Sequence, residues 1–265
     1  MFSGSCPFAE VPNEPAFGWL GRNYLTRLPV RTGVTRPSLD VEKAVFWCKV
    51  ASRMSPVTHF FAGWLVAATA DIAIPGSLTR RDKVLIVAAG VAPDLDGLGI
   101  VPELLTRQSA HPLLWFSQFH HTLHTLAFAL VCAVVTFLIA GPLRGFAFGP
   151  AIRGRQLPSH PWITSLLVFL SFHLHLLCDL IGSRGPDGDQ WPIPYLKPFS
   201  NALQLTWHGQ WALNSWQNFV ITGLMLAATL WIAWKYGSSP LELASESANQ
   251  SFTRTLRQRF PLKAI

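Results

Sequence analysis

His175 and Asp179 stand four residues apart at the end of an apolar run that begins near Trp162. On a helix that spacing puts an imidazole and a carboxylate on one face, where both can grip a single ion. Ionisable groups at mid-membrane cost on the order of 2.5–3.5 kcal/mol each, so they face a partner, a metal or water. Three further clusters supply lone pairs of the same kind: His59, the pair Asp94 and Asp96, and His120-His121-Thr122-Leu123-His124. Either His120 (i, i+4) or His121 (i, i+3) can share a helical face with His124. His173 and His175 are two apart and point to different sides, and the spacing to Asp179 favours His175. The expected metal ligands are therefore His59, Asp94, Asp96, His120, His124, His175 and Asp179, with Asp94 and Asp96 also the candidate catalytic carboxylates. A divalent ion held there, zinc first and manganese second, lowers the pKa of water and polarises an ester or phosphoester. A proton relay or ion-coupled transporter uses the same residue types, but tends to hold them at mid-span, whereas these lie near the ends of apolar runs.

Those runs must position the ligands. Half of the 265 residues are hydrophobic, only 13% are charged and the mean hydropathy is +0.30, a profile too apolar for an ordinary soluble domain. Apolar segments fall at about 60–75, 84–97, 125–140, 162–181 and 219–234, which predicts an all-α, polytopic membrane protein with about five spans. Eleven Trp suit the membrane–water interface. Pro93 and Gly97 predict a turn carrying Asp94 and Asp96, with a mixed loop over 102–119. The four cysteines are scattered without a CxxC pair, so neither a disulfide framework nor a zinc ribbon is indicated.

Charge gives orientation. The net charge is +7, but the basic residues cluster in short segments at 79–83 and 144–155 and in a basic tail over 237–265, so membrane orientation explains them better than a nucleic acid does. Placing those segments in the cytoplasm puts all four ligand clusters on the other side.

Residues 1–53 are rich in Pro, Gly and Arg without an apolar run. They read as a poorly structured extension, and the change of character at Met54 points to it as the natural start of a membrane-embedded domain over 54–236. Residues 183–215 are polar, aromatic and Pro-rich. There Arg184 can hold an anionic group by a bidentate contact, and Gln190 and Trp191 complete the candidate substrate-binding set. A Trp-rich loop over 190–216 at the headgroups suits a lipid or other amphiphilic substrate. His111, His160 and His208 lie in Pro- or Trp-rich loops and read as exposed or interfacial.

With those residues set out, the chain resembles the bacterial inner-membrane family of membrane-bound metal-dependent hydrolases over roughly 54–236. The matching pieces are Thr58-His59, Pro93-Asp94-Leu95-Asp96, His120-His121-Thr122-Leu123-His124-Thr125 and His175-Leu176-Leu177-Cys178-Asp179, then Arg184-Gly185-Pro186 and Gln190-Trp191-Pro192. The third motif has a four-residue spacing where the family often has five, and Leu174 stands where the family has Ser. The order of ligands is also similar to zinc-dependent phospholipase C and the P1-type nucleases. The resemblance implies a bacterial cytoplasmic-membrane enzyme that hydrolyses phosphoesters with clustered metal ions.

Overall fold

The computed structural model describes residues 56–106, 108–109, 111, 113, 121–143, 160–184 and 190–261. The extension expected at 1–53 lies outside them, as does His120. The described chain is all-helical, with two isolated bridges and no strand among the described residues.

Helices α1 (Pro56–Ala73) and α2 (Arg80–Val91) are joined by a short turn and pack together as a hairpin. Thr79 starts α2 with a capping box: its hydroxyl accepts from the Asp82 amide, and the Asp82 carboxylate accepts from the Thr79 amide at 2.8 Å. Two backbone donors that a helix start leaves unmet are thus satisfied.

The turn predicted at Pro93 falls where the α-helix ends, just after Val91, but it is itself helical. A 3₁₀ helix (Ala92–Gly99) follows α2 directly, and α3 (Ile100–Thr106) follows that. Proline in the first turn of a helix has no hydrogen bond to lose, so Pro93 tightens the chain without ending it. Residues 100–106 are accordingly helix where a loop from 102 was expected. The result is a continuous stretch of 27 residues, Arg80–Thr106.

Helices α4 (Leu126–Ala140), α5 (Pro161–Gly182) and α6 (Trp216–Tyr236) complete the apolar set, so all five apolar runs form helices. Three stretches are long and apolar enough to cross a membrane: Arg80–Thr106, Pro161–Gly182 and Trp216–Tyr236. Helix α4 is shorter, at 15 residues, which reaches about 22 Å against a hydrocarbon core of about 30 Å.

Packing is tightest where α1, α2 and α5 meet. A Cβ added to Gly90 would lie 2.9 Å from Ser171 Oγ and 3.1 Å from the His59 carbonyl oxygen. A Cβ added to Gly63 would lie 3.1 Å from the Val87 Cα. Small residues let backbones approach this closely, which is how helices associate when lipid supplies no hydrophobic contrast. Trp64, Ile86, Val168 and Phe172 fill the space around the crossing and are fully buried.

The C-terminal segment is not a loose tail. A 3₁₀ helix (Pro240–Leu243) and an amphipathic helix α7 (Glu246–Arg259) fold back on the hairpin and on α6. Asn249 accepts from both the amide and the hydroxyl of Ser239, at 2.9 and 2.8 Å. Arg257 donates to the Trp234 and Lys235 carbonyls at 2.8 and 3.0 Å, meeting acceptors that the end of α6 leaves open. Arg80 binds the Leu243 and Ala244 carbonyls. Composition alone made this segment look like a tail because its contacts are mostly polar side chains reaching backbone carbonyls.

Candidate metal centre

Four elements deliver side chains to one point. His59 comes from the first turn of α1, Asp94 from the 3₁₀ helix after α2, His124 from just before α4, and His175 with Asp179 from the last turns of α5. His59, Asp94, His175 and Asp179 each offer one ligand atom, and these atoms all lie within 4.8 Å of one another. His124 adjoins them, its Nε2 3.2 Å from Asp179 Oδ2 and 3.3 Å from His175 Nε2.

The separations fit a metal. A ligand distance of about 2.1 Å puts neighbouring tetrahedral ligand atoms about 3.4 Å apart. Here His59 Nε2 is 3.4 Å from Asp179 Oδ1, and His175 Nε2 is 3.0 Å from Asp179 Oδ2 and 3.8 Å from Asp94 Oδ1. The longest of these contacts, His59 Nε2 to Asp94 Oδ2, is 4.0 Å. His59, His124 and His175 are all essentially buried, whereas a quarter of the Asp94 side chain is exposed.

Tautomers sharpen the point. A carbonyl oxygen can only accept, so His175 Nδ1 carries the proton it donates to the Gly90 carbonyl at 2.9 Å. In the neutral ring, Nε2 is then a lone pair aimed at the cluster. His124 Nδ1 faces Asp96 Oδ2 at 3.4 Å, which favours the same tautomer and turns its Nε2 inward too. Two lone pairs 3.3 Å apart, beside a carboxylate oxygen, repel unless a cation lies among them. His59 Nε2 and Asp94 Oδ2 are buried with no hydrogen-bond partner among the described residues. Two carboxylates and three imidazoles therefore match a divalent cation in charge and donor type. Without one, protons must do the work. Burial acts to lower the His124 pKa, but the neighbouring Asp179 and Asp96 carboxylates outweigh it and push it up to about 9.

The outer contacts are equally ordered. Asp96 Oδ2 accepts from the Leu123 amide at 3.0 Å while facing His124, so it reaches the cluster through that ring. Thr125, the next residue after His124, caps α4 by accepting from the Phe128 amide, which anchors the backbone that carries the histidine. Ser183 donates to Asp179 Oδ1 at 2.9 Å. The end of α5 is stitched to the following loop: Gln210 donates to the Asp179 carbonyl, Trp211 to the Ile181 carbonyl and Asn218 to the Gly182 carbonyl. A helix end would otherwise leave those carbonyls unmet. No sequence pattern marked Gly90, Ser183 or Gln210 as supports of the site.

The remaining expected residues lie around this centre. His121 is half-buried, with φ of 74°, its ring 4.6 Å from the His124 ring. Trp191 meets His121 edge-on at 5.5 Å, next to the centre rather than in it. Gln190 donates to the Trp207 carbonyl and so braces the loop. Arg184 pairs its backbone with Trp211 and Leu213, and its Nε is buried with no hydrogen-bond partner among the described residues. His173 points away: its Nδ1 meets the Phe169 carbonyl and its Nε2 meets the Tyr195 hydroxyl, both at 2.8 Å.

The model of a family described as YdjM inner membrane protein matches residues 54–244, well over half of the chain, and the chain belongs to that family. No curated protein and no solved structure matches it.

Proposed function

We propose that this YdjM-family membrane protein is a metal-dependent hydrolase that cleaves a phosphoester or ester in a lipid or other amphiphile. The observation that carries the reading is the set of three imidazole Nε2 atoms and two carboxylates converging on one point, with two of the rings tied down at their far nitrogens. Such ordering of ligands from behind is what tunes a metal site. His59, Asp94, His124, His175 and Asp179 hold the ion, and Asp96 orients His124. Zinc suits this nitrogen and oxygen donor set, and manganese is the second choice. A divalent ion supplies a Lewis acid that makes water acidic and polarises the scissile ester.

The chain's own groups do the rest. Asp94 is the partly exposed carboxylate of the group. It takes a proton from the attacking water and returns it to the leaving alcohol, while the water's hydroxyl adds to phosphorus or carbonyl carbon and the ester bond breaks. Arg184, five residues past Asp179, holds an anionic group of the substrate.

Ligand positions also favour an enzyme over an ion-coupled transporter. His59, His124, His175 and Asp179 sit in the first turn of α1, just before α4 and in the last turns of α5, at helix ends, while Asp94 alone lies within the Arg80–Thr106 stretch. The basic residues Arg80, Arg81 and Lys83 lie at the opposite end of α2 from Asp94. The positive-inside rule assigns that end to the cytoplasm and the metal to the other face.

The test is elemental analysis of detergent-purified protein beside Asp179→Ala, followed by hydrolysis of bis(p-nitrophenyl) phosphate and phospholipids. Stoichiometric zinc or manganese, lost in the variant together with turnover, is expected. Metal bound without any ester turnover overturns the hydrolase reading, and ion-coupled flux in sealed vesicles would replace it with transport.

A further inference from the structure

A cleft of about 470 Å³ lies between the 3₁₀ helix after α2 and the turn that leads to His124. Its walls are Leu95, Leu98, Gly99, Pro102 and Leu123, with Asp96 and Thr122 the polar residues among them. That volume falls in the range of small-molecule sites, about 300–1,000 Å³. Asp96 Oδ2 is directed at the Leu123 amide and at His124. No lysine or arginine is among the described residues that line it. Among the described residues an anionic headgroup finds no cationic partner there. A hydrocarbon chain finds apolar walls.

The cleft is continuous with two features already described. On one side Asp96 and Leu123 connect it to His124, whose other nitrogen lies 3.2 Å from Asp179. On the other side Leu95, Leu98, Pro102 and Leu105 follow at steps of three, four and three, the spacing of one helical stripe. Leu95 is 54% exposed, Leu98 62% and Leu105 82%, on a 27-residue stretch apolar enough to cross a membrane. Leucines so placed are unfavourable in water and at home against lipid.

We infer that this cleft takes the acyl chain of a membrane lipid, entering sideways along the leucine stripe and setting the lipid's ester at the metal donors. The chain's place stands on the cleft and the stripe; the fate of the ester rests on the hydrolase reading above. The substrate is thereby an acylated membrane lipid rather than a soluble phosphoester.

Full-length protein in nanodiscs containing a phospholipid with a diazirine on its acyl chain tests this after irradiation and peptide mapping. Wild type should label preferentially on residues 95–102 and 122–123, and excess unlabelled phospholipid should compete. Leu95→Trp and Leu98→Trp place bulk at exposed positions of the wall and should each cut that labelling by about fivefold or more, with metal content unchanged. Label spread evenly over the outer faces of α4 and α6 overturns the inference, as does cleft labelling that both tryptophan variants leave intact. Either result assigns the cleft to another segment of this chain or to a second copy. The two readings fail separately. Competed cleft labelling without turnover of any ester removes the hydrolase and keeps the lipid site. Turnover of bis(p-nitrophenyl) phosphate without cleft labelling keeps the hydrolase and removes the lipid site.

Discussion

The α1–α2 hairpin carries a buried polar cluster at each end, and the two are built on opposite logic. At the turn end Lys83 lies 2.7 Å from Asp71 and 3.0 Å from Glu242, and Ser238 donates to the same Glu242 oxygen. An ammonium there meets its carboxylates directly. At the open end the carboxylates Asp94 and Asp179 face imidazoles, and the His175 ring, which donates from Nδ1 to the Gly90 carbonyl, turns a lone pair inward. The first cluster closes on itself and joins the C-terminal segment to the hairpin. The second leaves donor capacity for something outside the chain. Charge balance among the partners, rather than burial, separates a structural ion cluster from a site.

The closed end carries the largest expected effect. Lys83→Met leaves Asp71 and Glu242 facing each other without a cation, and should cost about 3 kcal/mol in thermal unfolding. Adding Asp71→Asn and Glu242→Gln should recover most of that loss, because an ion cluster replaced as a whole is often neutral. Metal content should not change in either protein. Loss of metal in Lys83→Met would show that the two ends are not independent.

At the open end, Asp96→Asn removes the charge behind His124 but leaves its shape. Metal affinity should fall about 10- to 100-fold, with full stoichiometry at saturation. An unchanged affinity would strip Asp96 of its orienting role.

The smallest effect is a pH slope. Without metal, His124 is held up to about 9 by its two carboxylates, so it is protonated at neutral pH. An ion must displace that proton. Apparent affinity should therefore rise with pH by up to about tenfold per unit until pH passes about 9, where the His124 contribution levels off. A flat titration from pH 7 to 9 would exclude His124 as a ligand.

Much of the open end was legible in the sequence. The i, i+4 pair His175 and Asp179, the Pro-Asp-Leu-Asp stretch and an isolated His59 at the head of an apolar run are all local patterns with a chemical meaning. The same spacing rule favoured His175 over His173, and the structure places His175 at the cluster and His173 against Tyr195. The supports were not legible. Gly90 acts through its carbonyl, which every residue has, and Gln210 joins Asp179 from 31 residues away. The closed end was missed for a related reason: Glu242 reaches Lys83 across 159 residues, and no local periodicity announces it. Pro93 marked the end of α2 correctly, but the helix that resumes after it was not legible, because a proline that ends one helix and a proline that begins the next read alike.

The distribution of ligands along the chain sets a timetable for synthesis. Asp179 follows His59 by 120 residues (179 − 59). At a synthesis rate of about 5–20 residues per second, roughly 6–24 s separate the first ligand from the last. Asp71 and Lys83 belong to one hairpin and can meet as soon as it inserts. The complete set of imidazoles and carboxylates exists only once α5 has joined the bundle, so any ion that the group holds would be a late addition to a chain already in the membrane. Cells starved of zinc and manganese should accordingly accumulate inserted, helical, full-length protein that takes up metal afterwards, rather than chains that stall at the first hairpin.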